Sequence, residues 1–418
     1  MTQQVLLDDG LVRTTGPNGL VVLSEAMPRV RSVALGMYVR TASAHEVPAQ
    51  MGISHCLEHM VFKGTARYTA KELALSLETR GGSLDAYTGR DQTSYQAHIL
   101  DEDLPLAAEV LTELVQHPLL RDGDLTLERN VILEEIAGVE DTPDDLVFEL
   151  HSETLWGTHP YGFSILGTHD TVSALQVDDL RALHTARYRR ANMVIAAAGN
   201  VDHDALCAEL ESHGWFAAEA PGEPAPSVTP RPAVRGVERR ETRDTQQVHI
   251  VLGTDAFSAV DPRRYALSLL MNSLGGGMSS RLFQRVREEL GLCYAVYAYK
   301  QLMQATGQIG IYVATGPETA DAAVAAIRAE CTLLSREGLP HDELAAGRRQ
   351  LKGQVMLALE STGARMSRLA ATALTGEPYR RLDDILTRID AITAEDVAAL
   401  AAEFLDPARF TTVRLGPA

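Results

Sequence analysis

The sequence predicts an α+β protein built from two similar halves, each an antiparallel-rich sheet packed against helices. Segments rich in Val, Thr and Tyr alternate with long stretches of helical periodicity, which is typical of this class. Two landmarks also repeat with one offset. Asp179 and Asp396 lie 217 residues apart at predicted helix starts, and Gly199 and Gly416 lie 217 apart at predicted strand ends. One offset that fits two different elements indicates two copies of one fold.

The chain is long enough for two domains, and a proline-rich segment divides it. A chain of 418 residues exceeds what one hydrophobic core usually organises. Five prolines with few apolar neighbours occur between residues 221 and 232, which favours an extended linker. We therefore predict an N-terminal half over residues 1–220, a linker over 221–236 and a C-terminal half over 237–418.

Composition and charge limit the classes of function. The net charge of −18 argues against nucleic acid as a partner, because phosphates would be repelled, and it is compatible with cationic or extended peptides. Residues 1–30 show no secretory pattern, no apolar run reaches membrane-spanning length, and the four cysteines are scattered. We therefore expect a cytoplasmic protein with reduced thiols and no membrane contact.

The first predicted strands lead into a helix that carries the most informative motif. Residues 19–23 and 32–39 have the apolar patterns of strands. In the helix that follows, His55 and His59 are four residues apart and Glu58 lies between them. At this spacing the two imidazoles and the carboxylate share one helix face.

This helix face has the chemistry of a metal site with an adjacent base. Two neutral imidazoles at positions i and i+4 can each give one nitrogen to a zinc ion. Glu58 can then take a proton from a water molecule whose pKa the zinc lowers from about 15.7 to about 7. The alternative is a pair of half-buried histidines beside a solvated glutamate. A catalytic zinc site needs a third protein ligand, and this requirement separates the two interpretations.

A second predicted helix, which contains Glu128 and Glu135, offers that third ligand. Apolar residues recur with helical spacing between residues 125 and 139. Glu128 and Glu135 lie two turns apart on one face, whereas Glu134 points elsewhere. We assign Glu135 as the third ligand and Glu128 as an outer group that orients the site. An acidic surface helix is the alternative for any two glutamates taken alone.

Three features now occur together: the inverted order His-x-x-Glu-His, the run Glu-His-Met-Val-Phe-Lys-Gly-Thr over residues 58–65, and the two downstream glutamates. They resemble the pitrilysin-type zinc peptidases, and within them the catalytic subunit of mitochondrial processing peptidase and its bacterial relatives. The resemblance implies that the two halves form half of a clamshell. It also implies the site residues: His55, His59 and Glu135 as zinc ligands, Glu58 as general base and Glu128 as the outer group.

The segment over residues 82–95 is rich in Thr and Tyr and broken by Gly, which predicts an edge strand, a turn and a second strand. An edge strand can bind an extended peptide as one more strand. In the resembling family this segment does so, which assigns substrate binding to Asp85 and Ala86. The family has an Asn at the position of Asp85, so the backbone of Ala86 is kept and the side-chain contact is in question. A plain hairpin is the alternative.

The second half has no second copy of the metal motif. The segment that corresponds to the metal helix, residues 265–274, contains no histidine. The glycine run 275–277 lacks the features of a phosphate-binding loop. In the resembling peptidases an Arg and a Tyr seven residues apart hold the substrate backbone and the tetrahedral intermediate, and Arg287 and Tyr294 match them. Without the resemblance, a solvated arginine and a core tyrosine would be the ordinary interpretation.

The predicted function is zinc-dependent endopeptidase action on short or unfolded peptides, with one zinc ion per chain. In relatives of this length two chains face each other, so the resemblance implies a homodimer, while a heteromeric partner stays open. The alternative function is a non-catalytic, processing-peptidase-like assembly or core subunit. The four intact residues of the metal motif argue against that alternative.

Overall fold

The computed structural model describes residues 2–219, 227–230 and 232–417, and it confirms an α+β architecture with two separate sheets. The strands within these residues are β1 (Gln3–Asp8), β2 (Leu11–Thr15), β3 (Val21–Ala26), β4 (Ser32–Val39), β5 (Ser83–Thr88), β6 (Thr93–Leu100), β7 (Met193–Gly199), β8 (Glu238–Thr242), β9 (Val248–Ala256), β10 (Cys293–Leu302), β11 (Gly307–Thr315) and β12 (Thr411–Gly416). The α-helices are α1 (Ile53–Val61), α2 (Ala70–Glu78), α3 (Leu104–Gln116), α4 (Asp122–Glu140), α5 (Pro143–Trp156), α6 (His169–Ala174), α7 (Val177–Arg187), α8 (His203–Ser212), α9 (Arg264–Gly275), α10 (Ala320–Glu337), α11 (His341–Ala358), α12 (Thr362–Thr375), α13 (Leu382–Asp390) and α14 (Ala394–Phe404). None of these helices combines the length and the apolar composition that crossing a bilayer requires.

The seven-stranded sheet has the order β1-β2-β3-β7-β4-β6-β5. β3 and β7 run parallel, and the other neighbouring strands are antiparallel. One face of the sheet is covered by helices that include α1 and α3, with Leu57, Met60 and Leu111 fully buried. The other face is covered by α12 through Met366 and Leu369. The strand order places β5 at one edge of this sheet, and helices pack on both faces of the sheet.

The five-stranded sheet has the order β10-β11-β9-β12-β8 and begins just beyond the predicted linker, of which residues 221–226 and 231 lie outside the described residues. Taken from its other edge, the order β8-β12-β9-β11-β10 repeats β3-β7-β4-β6-β5. The parallel pair β8 and β12 takes the place of β3 and β7. The predicted duplication is confirmed by this shared topology. The helix that corresponds to α1 is α9, which contains no histidine.

The two compact units of the structure are not continuous in sequence. The first consists of Met1–Ile136, Ser164–Ser227 and Leu357–Tyr379, and the second of Ala137–Phe163, Val228–Met356 and Arg380–Ala418. In the second unit α5 covers β9 and β12 and buries Leu146 and Val147, although it precedes the linker. In the first unit α12 covers β4 and β7, although it follows the linker. Helical periodicity shows that a helix has an apolar face but not which sheet will cover that face.

Candidate metal centre

Helix α1 is anchored at its start by a glycine and a buried carboxylate. Gly52 adopts a left-handed φ of +89°, and a Cβ at this position would lie 2.6 Å from the carbonyl oxygen of Leu166. The carboxylate of Glu46 accepts the backbone N–H of Gly52 at 2.8 Å and that of Ser54 at 2.9 Å. These bonds satisfy amides at the helix start that have no partner within the helix. The contacts of Glu46 thus fix the position of the start of α1, the helix that carries both histidines.

Glu46 should make the stability of the metal-free protein depend on pH. Burial raises the pKa of Glu46 from an ordinary value of 4.5 to about 7, although its N–H donors favour the charged form. The folded chain therefore binds more protons than the unfolded chain between these two values, and this stabilisation is lost as the pH rises through about 7. As the pH rises from below 4.5 to above about 7, we expect the titration of Glu46 to lower the free energy of unfolding by on the order of 3 kcal/mol.

Thermal unfolding of the chelator-treated parent chain and of Glu46→Gln, from acidic to neutral pH, measures this contribution. The variant has no carboxyl group to titrate, so the difference between the two chains should change across the range. Parallel curves for the two chains would show that other groups cause the pH dependence.

The side chains of His55, His59 and Glu135 converge on one point. Oε2 of Glu135 lies 3.6 Å from Nε2 of His55 and 3.6 Å from Nε2 of His59. The two rings are in edge contact, with centroids 4.6 Å apart. Within the described residues this is the one group of three or more His, Cys, Asp or Glu whose ligand atoms come together in this way, all within 4.8 Å of one another. Two helices, α1 and α4, supply the group.

These donors fit a divalent metal ion of the zinc type. Two imidazole nitrogens and one carboxylate oxygen are a usual set for a catalytic zinc site, which keeps one further position open. Oε2 of Glu135 is buried and has no hydrogen-bond partner, because 3.6 Å is too long for a hydrogen bond to either histidine. Burial and the neighbouring His59 lower the pKa of His55 to about 4, so its imidazole is neutral at pH 7, as a metal ligand must be.

Glu128 lies behind His59 and is held in turn by a lysine. Its Oε2 lies 3.0 Å from Nδ1 of His59, and its Oε1 lies 2.5 Å from Nζ of Lys63. Glu128 is only 6% exposed, and each of its carboxylate oxygens contacts a partner within the protein. Sequence reasoning missed Lys63, although its position four residues after His59 would place it on the same face of a helix. The contact with Glu128 fixes Nδ1 as the protonated nitrogen of His59 and leaves Nε2 to face Glu135.

The carboxylate of Glu58 lies on the same side of α1 and is held by the last residue of β5. The hydroxyl of Thr88 donates to Oε2 of Glu58. Burial raises the pKa of Glu58, the bonds from Thr88 oppose this, and the nearby Glu135 adds to it. Sequence reasoning missed Thr88, because the contact joins residues 30 positions apart on different elements.

β5 is placed so that one of its backbone edges is left for another strand. Within the described residues it pairs with β6 only, and Ala86 lies opposite Tyr95. Ala86 and Thr88 face the core side of the sheet, whereas Asp85 and Tyr87 are exposed on the other side. The carboxylate of Asp85 accepts a hydrogen bond of 2.9 Å from the hydroxyl of Ser83. The backbone at Ala86 is thus the part of this segment that is suited to pairing with a peptide.

Arg287 and Tyr294 lie together in the second unit, each at a backbone irregularity. Residues Phe283–Glu289 form a π-helical segment in which the guanidinium carbon of Arg287 lies 4.6 Å from the ring centroid of Phe283. The same atom lies 5.2 Å from the ring centroid of Tyr294. The register between β10 and β11 shifts at Tyr294, which occupies a bulge and is 75% exposed. Such irregularities are frequent at functional sites, where they direct a side chain outward.

Comparisons with known proteins agree over nearly the whole chain. The family profile described as Insulinase (Peptidase family M16) matches residues 21–169, and that described as Peptidase M16 inactive domain matches residues 174–351. A protein of Streptomyces coelicolor named an uncharacterized zinc protease is 39% identical over 399 residues, which cover 94% of this chain and 87% of the relative. A protein of Bacillus subtilis with the same description is 38% identical over 392 residues, covering 94% and 95%.

Solved structures share the fold. A protease from Helicobacter pylori matches with a TM-score of 0.91 at 21% identity, covering 100% of both chains. A putative M16-like peptidase from Alicyclobacillus acidocaldarius matches with a TM-score of 0.85 at 21% identity, covering 100% of this chain and 98% of the other. The profile that names an inactive domain covers α9, the counterpart of α1 that contains no histidine.

Proposed function

Because the chain belongs to peptidase family M16, we propose that it is a zinc-dependent endopeptidase that cleaves short or unfolded peptides in the manner of a processing peptidase. The observation that carries this proposal is the convergence of His55, His59 and Glu135, with the carboxylate of Glu58 close enough to interact with Glu135. The names of the relatives support zinc as the ion. A non-catalytic assembly subunit would have no need of these groups in this geometry.

The residues divide the reaction between them. His55, His59 and Glu135 would hold the ion. Zinc, when bound, would supply a Lewis acid for the scissile carbonyl and would lower the pKa of water to about 7. Glu58 would take a proton from the attacking water as the carbon–oxygen bond forms and would pass it to the amide nitrogen as the carbon–nitrogen bond breaks. Glu128 would keep His59 in the tautomer that presents Nε2 to the site.

The substrate would lie along β5 as an added strand. Backbone N–H and C=O groups at the free edge near Ala86 would pair with the backbone of the peptide, and such pairing would favour extended or unfolded chains. Arg287 and Tyr294 would bind the substrate backbone and the developing oxyanion. A cation and a phenol donor suit that charge, and the stacking of Arg287 on two rings orients its guanidinium. The side chain of Asp85 would add negative charge beside this edge.

Removal of the metal should abolish cleavage reversibly. We expect the purified chain to contain one zinc ion and to cleave a generic unfolded peptide, to lose this activity after treatment with a chelator, and to regain it when zinc is restored. Metal analysis by mass spectrometry together with a peptide cleavage assay measures both quantities. A metal-loaded chain that cleaves no unfolded peptide would favour the non-catalytic assembly subunit instead.

We propose further that the working form is a cytoplasmic homodimer. Each chain carries both the metal-binding set and the pair Arg287 and Tyr294. A dimer of identical chains would therefore need no other subunit for the proposed reaction. Activity per chain should therefore fall as the protein is diluted through the concentration at which the dimer separates. A monomer that keeps full activity at high dilution contradicts this arrangement, and activity that needs a different chain would indicate a heteromeric partner.

A further inference from the structure

We propose that Thr88 is a positioning residue that connects the base Glu58 to the strand edge on which the substrate would lie. The inference rests on the proposed peptidase function. It assigns Thr88 a role in the chemical step that acts entirely through Glu58, without contact between Thr88 and the reacting atoms.

Thr88 binds the Glu58 carboxylate through two groups. Its hydroxyl donates to Oε2, and its backbone is a second hydrogen-bonding group for the same carboxylate. Thr88 is only 4% exposed, so bulk water does not compete for these contacts. Two bonds from one rigid residue fix both the position and the rotation of the carboxyl group, whereas the glutamate side chain alone has three rotatable bonds.

The position of Thr88 is itself fixed by the turn that follows it. Gly89 donates its backbone N–H to the carbonyl oxygen of Gln92 at 2.9 Å, which closes the hairpin between β5 and β6. The carbonyl oxygen of Gly89 accepts the hydroxyl of Ser43 at 3.0 Å, in a contact that is buried. Thr88 is thus held from two sides, and it can serve as a reference point for a catalytic group.

The same strand that fixes Glu58 presents the substrate edge. Ala86 and Thr88 are two residues apart in β5, so their side chains share one face and their backbone N–H groups point to the same edge. The backbone contact of Thr88 with Glu58 therefore lies on the edge at which a peptide would pair with Ala86. The backbone of β5 from Ala86 to Thr88 would therefore position both the added peptide and the carboxylate of Glu58. Pairing along β5 would then set the distance between the scissile bond and Glu58.

Loss of the hydroxyl should therefore lower kcat and leave KM nearly unchanged. Thr88→Val keeps the size and the β-branched shape of the residue and removes only the donor, so the strand should persist. We expect kcat for an unfolded peptide to fall by about 10- to 100-fold, the range found when an outer group that orients a residue of a metal site is removed. Thr88→Ser restores the hydroxyl and should recover kcat to within about threefold of the parent.

Thr93→Val is the matched control. Thr93 lies directly opposite Thr88 in the hairpin and is also buried, but its hydroxyl donates to the backbone carbonyl of Thr41 at 3.0 Å. The same chemical change there should leave kcat at the parent value. Zinc content and melting temperature are measured for every variant, so that a loss of fold or metal is separated from a loss of orientation.

A double-mutant cycle tests whether Thr88 acts through Glu58. In the Glu58→Gln background, Thr88→Val should cause no further loss of kcat. An additive loss in that background, or a Thr88→Val chain that turns over peptide like the parent, would overturn the inference while the active parent still supports the peptidase. A parent chain that cleaves no peptide at all would remove the proposed function and the inference together.

Discussion

Replacing Glu58 by glutamine should leave the chain folded and loaded with zinc while lowering its turnover of an unfolded peptide at least about 10²-fold. Glutamine has nearly the same shape, and its carbonyl oxygen can still accept the hydroxyl of Thr88 that Oε2 of Glu58 accepts in the parent. The amide cannot take a proton from water, so only the base is lost. The pKa of Glu58 is raised by burial, which brings the group closer to the range in which a base can also return its proton.

Zinc content and steady-state cleavage, measured on the same preparation, decide this prediction. Glu134→Gln makes the same chemical change at an exposed position on α4 and should behave as the parent does. If Glu58→Gln cleaves as well as the parent, Glu58 is not the base. If it loses zinc together with activity, the carboxylate is needed to build the site, and its role in proton transfer is not the main one.

Replacing Glu135 by alanine should weaken metal binding more than any change in the groups behind the ligands. The variant loses one of three converging donors, and removing an outer group such as Glu128 already costs about 10- to 100-fold in comparable sites. We therefore expect a loss of at least about 10²-fold in zinc affinity, with loss of cleavage at limiting zinc. The side chain of Glu135 is 40% exposed, so its truncation leaves no sealed cavity and the fold should persist.

The neighbouring Glu134 gives a control on the same turn of α4. It is exposed and belongs to no metal-binding group in the part of the chain that the structure describes, so Glu134→Ala should bind zinc as the parent does. Competition with a chromogenic chelator measures both variants. Equal affinity of Glu135→Ala and the parent would require another group to complete the site and would remove Glu135 from the ligand set.

Local periodicity was sufficient for the parts of the site that lie on single helices. The spacing of His55 and His59 places them one turn apart on α1. The seven-residue spacing of Glu128 and Glu135 places both on the side of α4 that meets those histidines, and Glu134 is exposed. These relations depend only on the rise and twist per residue, which are the same in every α-helix.

The contacts of Glu46 and Thr88 could not be predicted, because they join separate elements and a local sequence pattern does not show how such elements pack together. Glu46 caps α1 from a preceding loop, and Thr88 reaches Glu58 from the end of a strand. The irregularities at Arg287 and Tyr294 are also hidden from pattern reasoning. A π-helical segment and a one-residue bulge change the backbone without changing the order of apolar and polar residues.

The exchange of α5 and α12 between the two units has a consequence for the synthesis of the protein. The sheet next to the histidine helix is covered on one face by residues 362–375, which leave the ribosome roughly 15–60 s after α1 at ordinary rates of translation. Until then the nascent chain has apolar strand residues such as Ala34 and Ala196 without their cover. The seven-stranded sheet therefore cannot be covered on both faces until α12 has been synthesised, after most of the polypeptide already exists.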